Sequence, residues 1–161
     1  MKFVNKCFWD EKISEIPNLS IDNITDFSYS TCFSYFILPL DVNLRFGSVE
    51  FNNYVKGQSE VNCVMLLISA IAPYAVIKYL SYSYENDVVN LVEEFSPYNE
   101  ESKKIGDSIL GFLNNNGITS IDLDTLNTEV EDISLELKET GVTVYNCLFE
   151  DEYWKLLSNK K

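Results

Sequence analysis

The sequence predicts an α+β domain: a mostly antiparallel β-sheet with helices packed on one face. Three observations carry that expectation. Aromatic and β-branched runs over residues 31–40, 61–71 and 74–84 suit pleated, largely buried strands. Ile105, Ile109, Phe112 and Leu113 recur at helical spacing and form one apolar stripe. The chain has 161 residues, 46% of them apolar and only ten of them Gly or Pro, which fits a single ordered domain over 1–161 with one sizeable core.

Taken in order, Phe3 to Trp9 reads as a short strand followed by a polar connection through Pro17. Within Thr31–Leu40, Phe33, Tyr35 and Ile37 alternate against Ser34, Phe36 and Leu38. Val42, Leu44 and Phe46 alternate with Asn43 and Arg45 and predict a further strand; Gly47-Ser48 turns the chain, and Val49 and Phe51 resume the pattern. Val61–Ile71 and Tyr74–Tyr84 predict two buried strands joined at Ala72-Pro73, because proline fixes φ and cannot donate to a ladder. On the second of these, Lys78 interrupts a face made by Tyr74, Val76, Leu80, Tyr82 and Tyr84.

Ser96-Pro97 predicts a helix start, with Ser as N-cap, Pro in the first turn, and Glu100 and Glu101 at the positive end of the dipole. Asn114-Asn115-Asn116-Gly117 ends it with left-handed cap chemistry. Gly106 and Gly111 each cost about 1 kcal/mol against Ala within a helix, which points to close backbone approach. Over Asp122–Thr140 two periods compete. Leu123, Leu126, Val130, Ile133 and Leu137 step as a helix, whereas Ile133, Leu135 and Leu137 alternate as a strand. The favoured reading is a short helix to Glu131, then a strand turning at Glu139-Thr140-Gly141 into a last strand, Val142–Phe149.

Charge is distributed unevenly. Residues 1–80 carry eight acidic and six basic side chains, residues 81–161 seventeen and six. Such an excess opposes direct binding to nucleic acid, where Lys and Arg must displace counterions, and to anionic membranes. It favours a basic partner, since carboxylates can stand where phosphates would and steer association. Plain solubility is the competing reading. Val61–Ile77 is uncharged but falls short of the ~20 residues of a membrane span and contains Asn62 and Pro73. Cys7, Cys32, Cys63 and Cys147 are scattered, and Asp10 and Glu11 precede any apolar stretch of signal-peptide length. Reduced thiols and a cytoplasmic location are therefore expected.

The absence of histidine removes Ser-His-Asp and Cys-His catalysis and His-based metal sites. No phosphate-binding glycine loop is present. Paired acids remain, at Glu93-Glu94, Glu100-Glu101, Asp122 with Asp124, and Glu150-Asp151-Glu152. In principle they suit glycoside hydrolysis or Mg²⁺ binding, but placed at helix starts and in loops they read as solvated surface. No catalytic residue, cofactor or metal is expected.

The segment Val142-Thr143-Val144-Tyr145-Asn146-Cys147-Leu148-Phe149-Glu150-Asp151 resembles the closing segment of small bacterial immunity proteins, which accompany polymorphic or contact-dependent toxins. The Ala72-Pro73-Tyr74 turn and the acidic helix after it are similar in style. Those families are diverse in fold, so the resemblance speaks to function. It implies a cytoplasmic, non-catalytic inhibitor that binds the C-terminal domain of one cognate toxin, often a basic nuclease, and blocks its active site or substrate channel.

The charge pattern leads independently to the same class. Glu93, Glu94, Glu100, Glu101, Asp107, Asp122, Asp124, Glu129, Glu150, Asp151 and Glu152 are expected to converge on one face, with Tyr98, Tyr153 and Trp154 as aromatic anchors. The protein is expected to be a monomer or weak homo-oligomer. The alternatives are an acidic scaffold that associates through an apolar patch, and a carboxylate-dependent hydrolase, which would need acids buried together.

Overall fold

The computed structural model describes residues 5–28 and 30–150. In chain order the elements are α1 (Lys6–Ile13), β1 (Leu19–Asn23), β2 (Cys32–Pro39), α2 (Val49–Gly57), β3 (Val61–Ser69), β4 (Tyr74–Glu85), β5 (Val88–Glu94), α3 (Glu100–Asn115), β6 (Thr119–Ser120), α4 (Leu123–Leu126) and α5 (Val144–Leu148). Strands β1 to β5 lie side by side in sequence order, each antiparallel to its neighbours. β6 pairs parallel with the first two residues of β4. The class is therefore α+β with a mostly antiparallel sheet, as the sequence predicts.

The sheet is apolar on both sides, and this decides where the helices go. Alternate residues of a strand point to opposite faces. On one face a row through Tyr35, Leu66 and Ile77 packs with Trp9 and Ile13 of α1 and with Ile105, Ile109, Phe112 and Leu113 of α3. On the other face Phe36, Cys63, Leu80 and Tyr82 meet Phe51 and Val55 of α2. Phe51 stands edge-on to both Phe36 and Tyr82, with ring centroids 5.4 and 5.1 Å apart. Farther along that face Cys32, Leu67 and Val76 are covered by Leu126, Tyr145 and Phe149. The longest helix, with α1, thus occupies one face, and three shorter helices close the other, whereas the sequence predicts helices on one face alone. The sheet is apolar on both sides, and each side needs a cover.

Several local expectations are corrected. Residues 6–9, expected in a strand, belong to α1; Phe3 and Val4 lie outside the described residues. The Asn5 side chain accepts from Phe8 N at 3.2 Å as an N-cap. Trp9 and Ile13, four apart, then reach the core together, and Asp10 accepts from Tyr35 Oη at 3.0 Å and Asn23 Nδ2 at 2.6 Å. Val42–Phe46 is irregular, with Phe46 N donating to Asp22 Oδ2 at 2.9 Å. Val49 and Phe51 lie in α2, because Ser48 caps it by accepting from Phe51 N at 3.0 Å.

Helix α3 starts at Glu100, later than Ser96-Pro97 suggests. Asn99 and Ser102 exchange hydrogen bonds of 2.8 and 3.0 Å in a reciprocal capping box. The expected helix over 122–131 shrinks to the single turn of α4. The expected last strand, Val142–Phe149, is instead turned into α5 by a second capping box between Thr143 and Asn146.

Candidate functional site

Between α4 and α5 the chain makes a hairpin-like excursion. Its base is closed by Val144 N donating to Thr128 O at 2.9 Å and Val130 N to Val142 O at 2.8 Å. Its tip is closed by Leu135 and Lys138, which exchange both main-chain hydrogen bonds around Glu136-Leu137. Regular pairing fails in between, where Asp132 and Gly141 adopt φ of +59° and +61°. The two arms therefore bow apart. Between them lies an open surface hollow of about 400 Å³ whose lining includes Glu129, Glu131, Asp132 and Glu139 with Ile133 and Ser134.

All four carboxylates of the cleft belong to exposed residues, and no Lys or Arg lines it. The excursion's own cation, Lys138, is engaged elsewhere, donating to Asn146 Oδ1 at 3.0 Å. The negative potential of the cleft is thus not neutralised from within the loop. Ile133, 42% exposed, adds an apolar wall.

The predicted acidic residues fall into separate groups. Glu93 and Glu94 end β5, on opposite faces, opposite Leu80 and Tyr79 of β4. Tyr98 stands beside them and donates from its hydroxyl to Val92 O at 3.0 Å. Burial, then the carboxylates of Glu94, Glu60 and Glu93, push its pKa up to about 12, so the phenol stays neutral. Glu100 and Glu101 are exposed in the first turn of α3. Asp107 pairs with Lys103 at 2.8 Å, which compensates that face locally.

Asp122 is the N-cap of α4. Its carboxylate accepts from Thr125 N at 2.9 Å and Thr125 Oγ1 at 3.0 Å, and these bonds hold its pKa below the usual carboxylate value. Asp124 is exposed on the same turn. Of the predicted set, Glu129 is the member in the cleft. Asp151, Glu152, Tyr153 and Trp154 lie outside the described residues.

Glu150 turns inward. It accepts from Tyr145 Oη and lies 3.5 Å from the ammonium of Lys78. Lys78, 5% exposed in the middle of β4, donates to the Tyr145 hydroxyl at 2.7 Å with its ammonium 4.9 Å from the ring centroid. This buried polar group went unseen in the sequence beyond a lone lysine interrupting an apolar strand. Glu139 lies outside the acidic segments that the sequence singles out, 93–107, 122–132 and 150–152; the signal available for it was the crowding of acids around the Glu139-Thr140-Gly141 turn.

Among the described residues no group of three or more His, Cys, Asp or Glu is placed to hold a metal ion. The Cys32 thiol is pushed up to about 11 and the Cys63 thiol also upward, by burial in both cases. That is the wrong direction for a nucleophile. No described helix is long and apolar enough to cross a membrane. Compared with protein-family models, curated proteins and solved structures, the chain matches none.

Proposed function

We propose that this chain is a non-catalytic binding protein of the immunity kind, which neutralises a basic cognate toxin domain in the cytoplasm through its acidic surface. The observation that carries the reading is the 129–141 cleft, where four exposed carboxylates surround a concave space that no cation of the loop fills. A lysine or arginine entering it would pair with one of these carboxylates within the field of the others, and close interfacial charge pairs couple by about 1.5–7 kcal/mol. Glu93 and Glu94 on β5 extend the negative field and steer encounter. A nuclease, whose active surface must be basic to hold phosphates, is the partner class that this field suits best.

The test is a pull-down from the native cell with mass-spectrometric identification of the partner, followed by co-expression with the captured domain. The wild-type chain is expected to bind that domain and abolish its toxicity. A variant carrying Glu129→Gln, Glu131→Gln, Asp132→Asn and Glu139→Gln is expected to lose both effects, and added salt to weaken binding of the wild type. Full protection by the variant, or an affinity indifferent to salt, refutes the reading.

A further inference from the structure

The sheet ends at β5, and its outer side has no strand partner among the described residues. Edge strands of this kind are templates for another chain unless they are blunted by charged side chains, proline or a bulge. β5 carries charge only at its end, in Glu93 and Glu94, which leaves residues 88–92 unprotected. Its sequence, VVNLVEE, has neither Lys nor Pro, and its pairing with β4 runs without interruption from Glu85–Val88 to Tyr79–Glu94. The two-residue Asn86-Asp87 turn, with φ of +52° and +65°, has the geometry that matches strand twist and holds β5 in register. Val88 and Val92, on one face of the strand, are 56% and 53% exposed.

Charge selects what can pair there. From Tyr79 to Ser102 the chain contains no Lys or Arg, while Glu85, Asp87, Glu93 and Glu94 bracket the strand. Two copies joined antiparallel through β5 would bring one copy's Glu93-Glu94 toward the other's Glu85–Asp87 end, and like charges across strands repel. An incoming strand with lysine or arginine at the matching positions would gain the same main-chain hydrogen bonds with attraction in place of repulsion.

We infer that the open edge of β5 is a β-augmentation site for an extended, Lys/Arg-bearing segment of the basic partner, with Val88 and Val92 receiving the segment's apolar side chains. This rests on the proposed function and names how that partner is held. Main-chain bonding along the edge supplies affinity, and the flanking carboxylates supply the choice of sequence.

The experiment uses the full chain and two synthetic peptides, one alternating lysine with valine and one alternating glutamate with valine, followed by amide hydrogen exchange resolved along β5. The lysine peptide is expected to slow exchange across 88–94 and the glutamate peptide to leave it unchanged. Val88→Lys/Val92→Lys, which alters only exposed side chains, is expected to weaken the lysine peptide about tenfold by placing cations on the edge. Slowed exchange elsewhere than β5, or equal binding by the double variant, overturns the inference. The proposed function is judged separately. If the cognate toxin domain binds wild type and the double variant equally well but not the cleft variant, the edge proposal fails and the acidic-surface reading stands; if it binds none of them, that reading fails too.

Discussion

Lys78 donates to the Tyr145 hydroxyl at 2.7 Å, and the same hydroxyl donates onward to Glu150. A cation in the middle of β4 thereby ties the chain after α5 to the sheet. Its ammonium and the Tyr145 ring are buried, whereas the Glu150 side chain is 34% exposed. That asymmetry sets an order of effects. Lys78→Met strands a partly desolvated carboxylate and removes the donor to Tyr145, at an expected cost of about 3 kcal/mol. Glu150→Gln keeps a side-chain oxygen that accepts from both the tyrosine and the Lys78 ammonium, at an expected cost of about 1 kcal/mol. Urea unfolding of both variants checks the order; a reversal would mean that Glu150, and not Lys78, anchors the segment.

Gly106 and Gly111 have opposite roles on α3. A Cβ on Gly106 would collide with the Tyr79 hydroxyl and lie 3.0 Å from the tyrosine Cζ, while one on Gly111 meets nothing within 4 Å. Gly106→Ala is therefore expected to destabilise by about 1–3 kcal/mol through overpacking, and Gly111→Ala to stabilise by up to about 1 kcal/mol through helix propensity. Combining Gly106→Ala with Tyr79→Phe should recover part of the loss. Thermal unfolding of the three variants reads all of this.

These two glycines also mark how far the sequence carries. Helix propensity says that both are costly, but only the position of Tyr79 on β4 tells which one is required. Strands β2, β3 and β4 were legible because two-sided burial makes their apolar runs long and unbroken. The stripe of α3 was legible for a different reason: burial of one side only leaves its apolar residues at helical spacing among exposed polar ones. Elements α1, α2 and α5 were misread because each carries, in its first turn, apolar residues that also suit a strand. What turns them is a single side chain, Asn5, Ser48 or Thr143, bonding a main-chain N–H three residues on. Such caps are visible as residue types, yet they decide the outcome only when the following apolar residues find a surface. The cleft was less legible still, since its acids come to line one hollow through irregular arms, with positive φ at Asp132 and Gly141, that no periodicity encodes.

Buried thiols and phenols make stability sensitive to alkali. Burial raises Cys32 from 9.0 to about 11, against smaller lowering effects from Ser34, Ser30 and Lys78. Burial also raises Cys63, Tyr35 and Tyr82. Each holds its proton more tightly folded than unfolded. Their contribution is whole below the unfolded-state pKa and is lost as pH climbs toward the folded-state value. For Cys32 that window opens at about pH 9 and closes near 11. Guanidinium midpoints should fall across it, and Cys32→Ala should make the fall shallower.

The cleft makes a prediction that needs no partner. Glu129, Glu131, Asp132 and Glu139 repel one another in the free protein, within a chain of net charge −13. Exposed like charges of this kind are screened over about 8–10 Å at physiological ionic strength. Adding sodium chloride is therefore expected to raise the melting temperature of the wild type. The Glu129→Gln/Glu131→Gln/Asp132→Asn/Glu139→Gln variant should begin higher at low salt, by about 2–4 °C, and gain less from salt. A cationic partner would relieve the same repulsion, so partner binding should stabilise the wild type more than the variant. Identical salt responses in the two proteins would mean that the four carboxylates lie too far apart, or too well solvated, to act as one field.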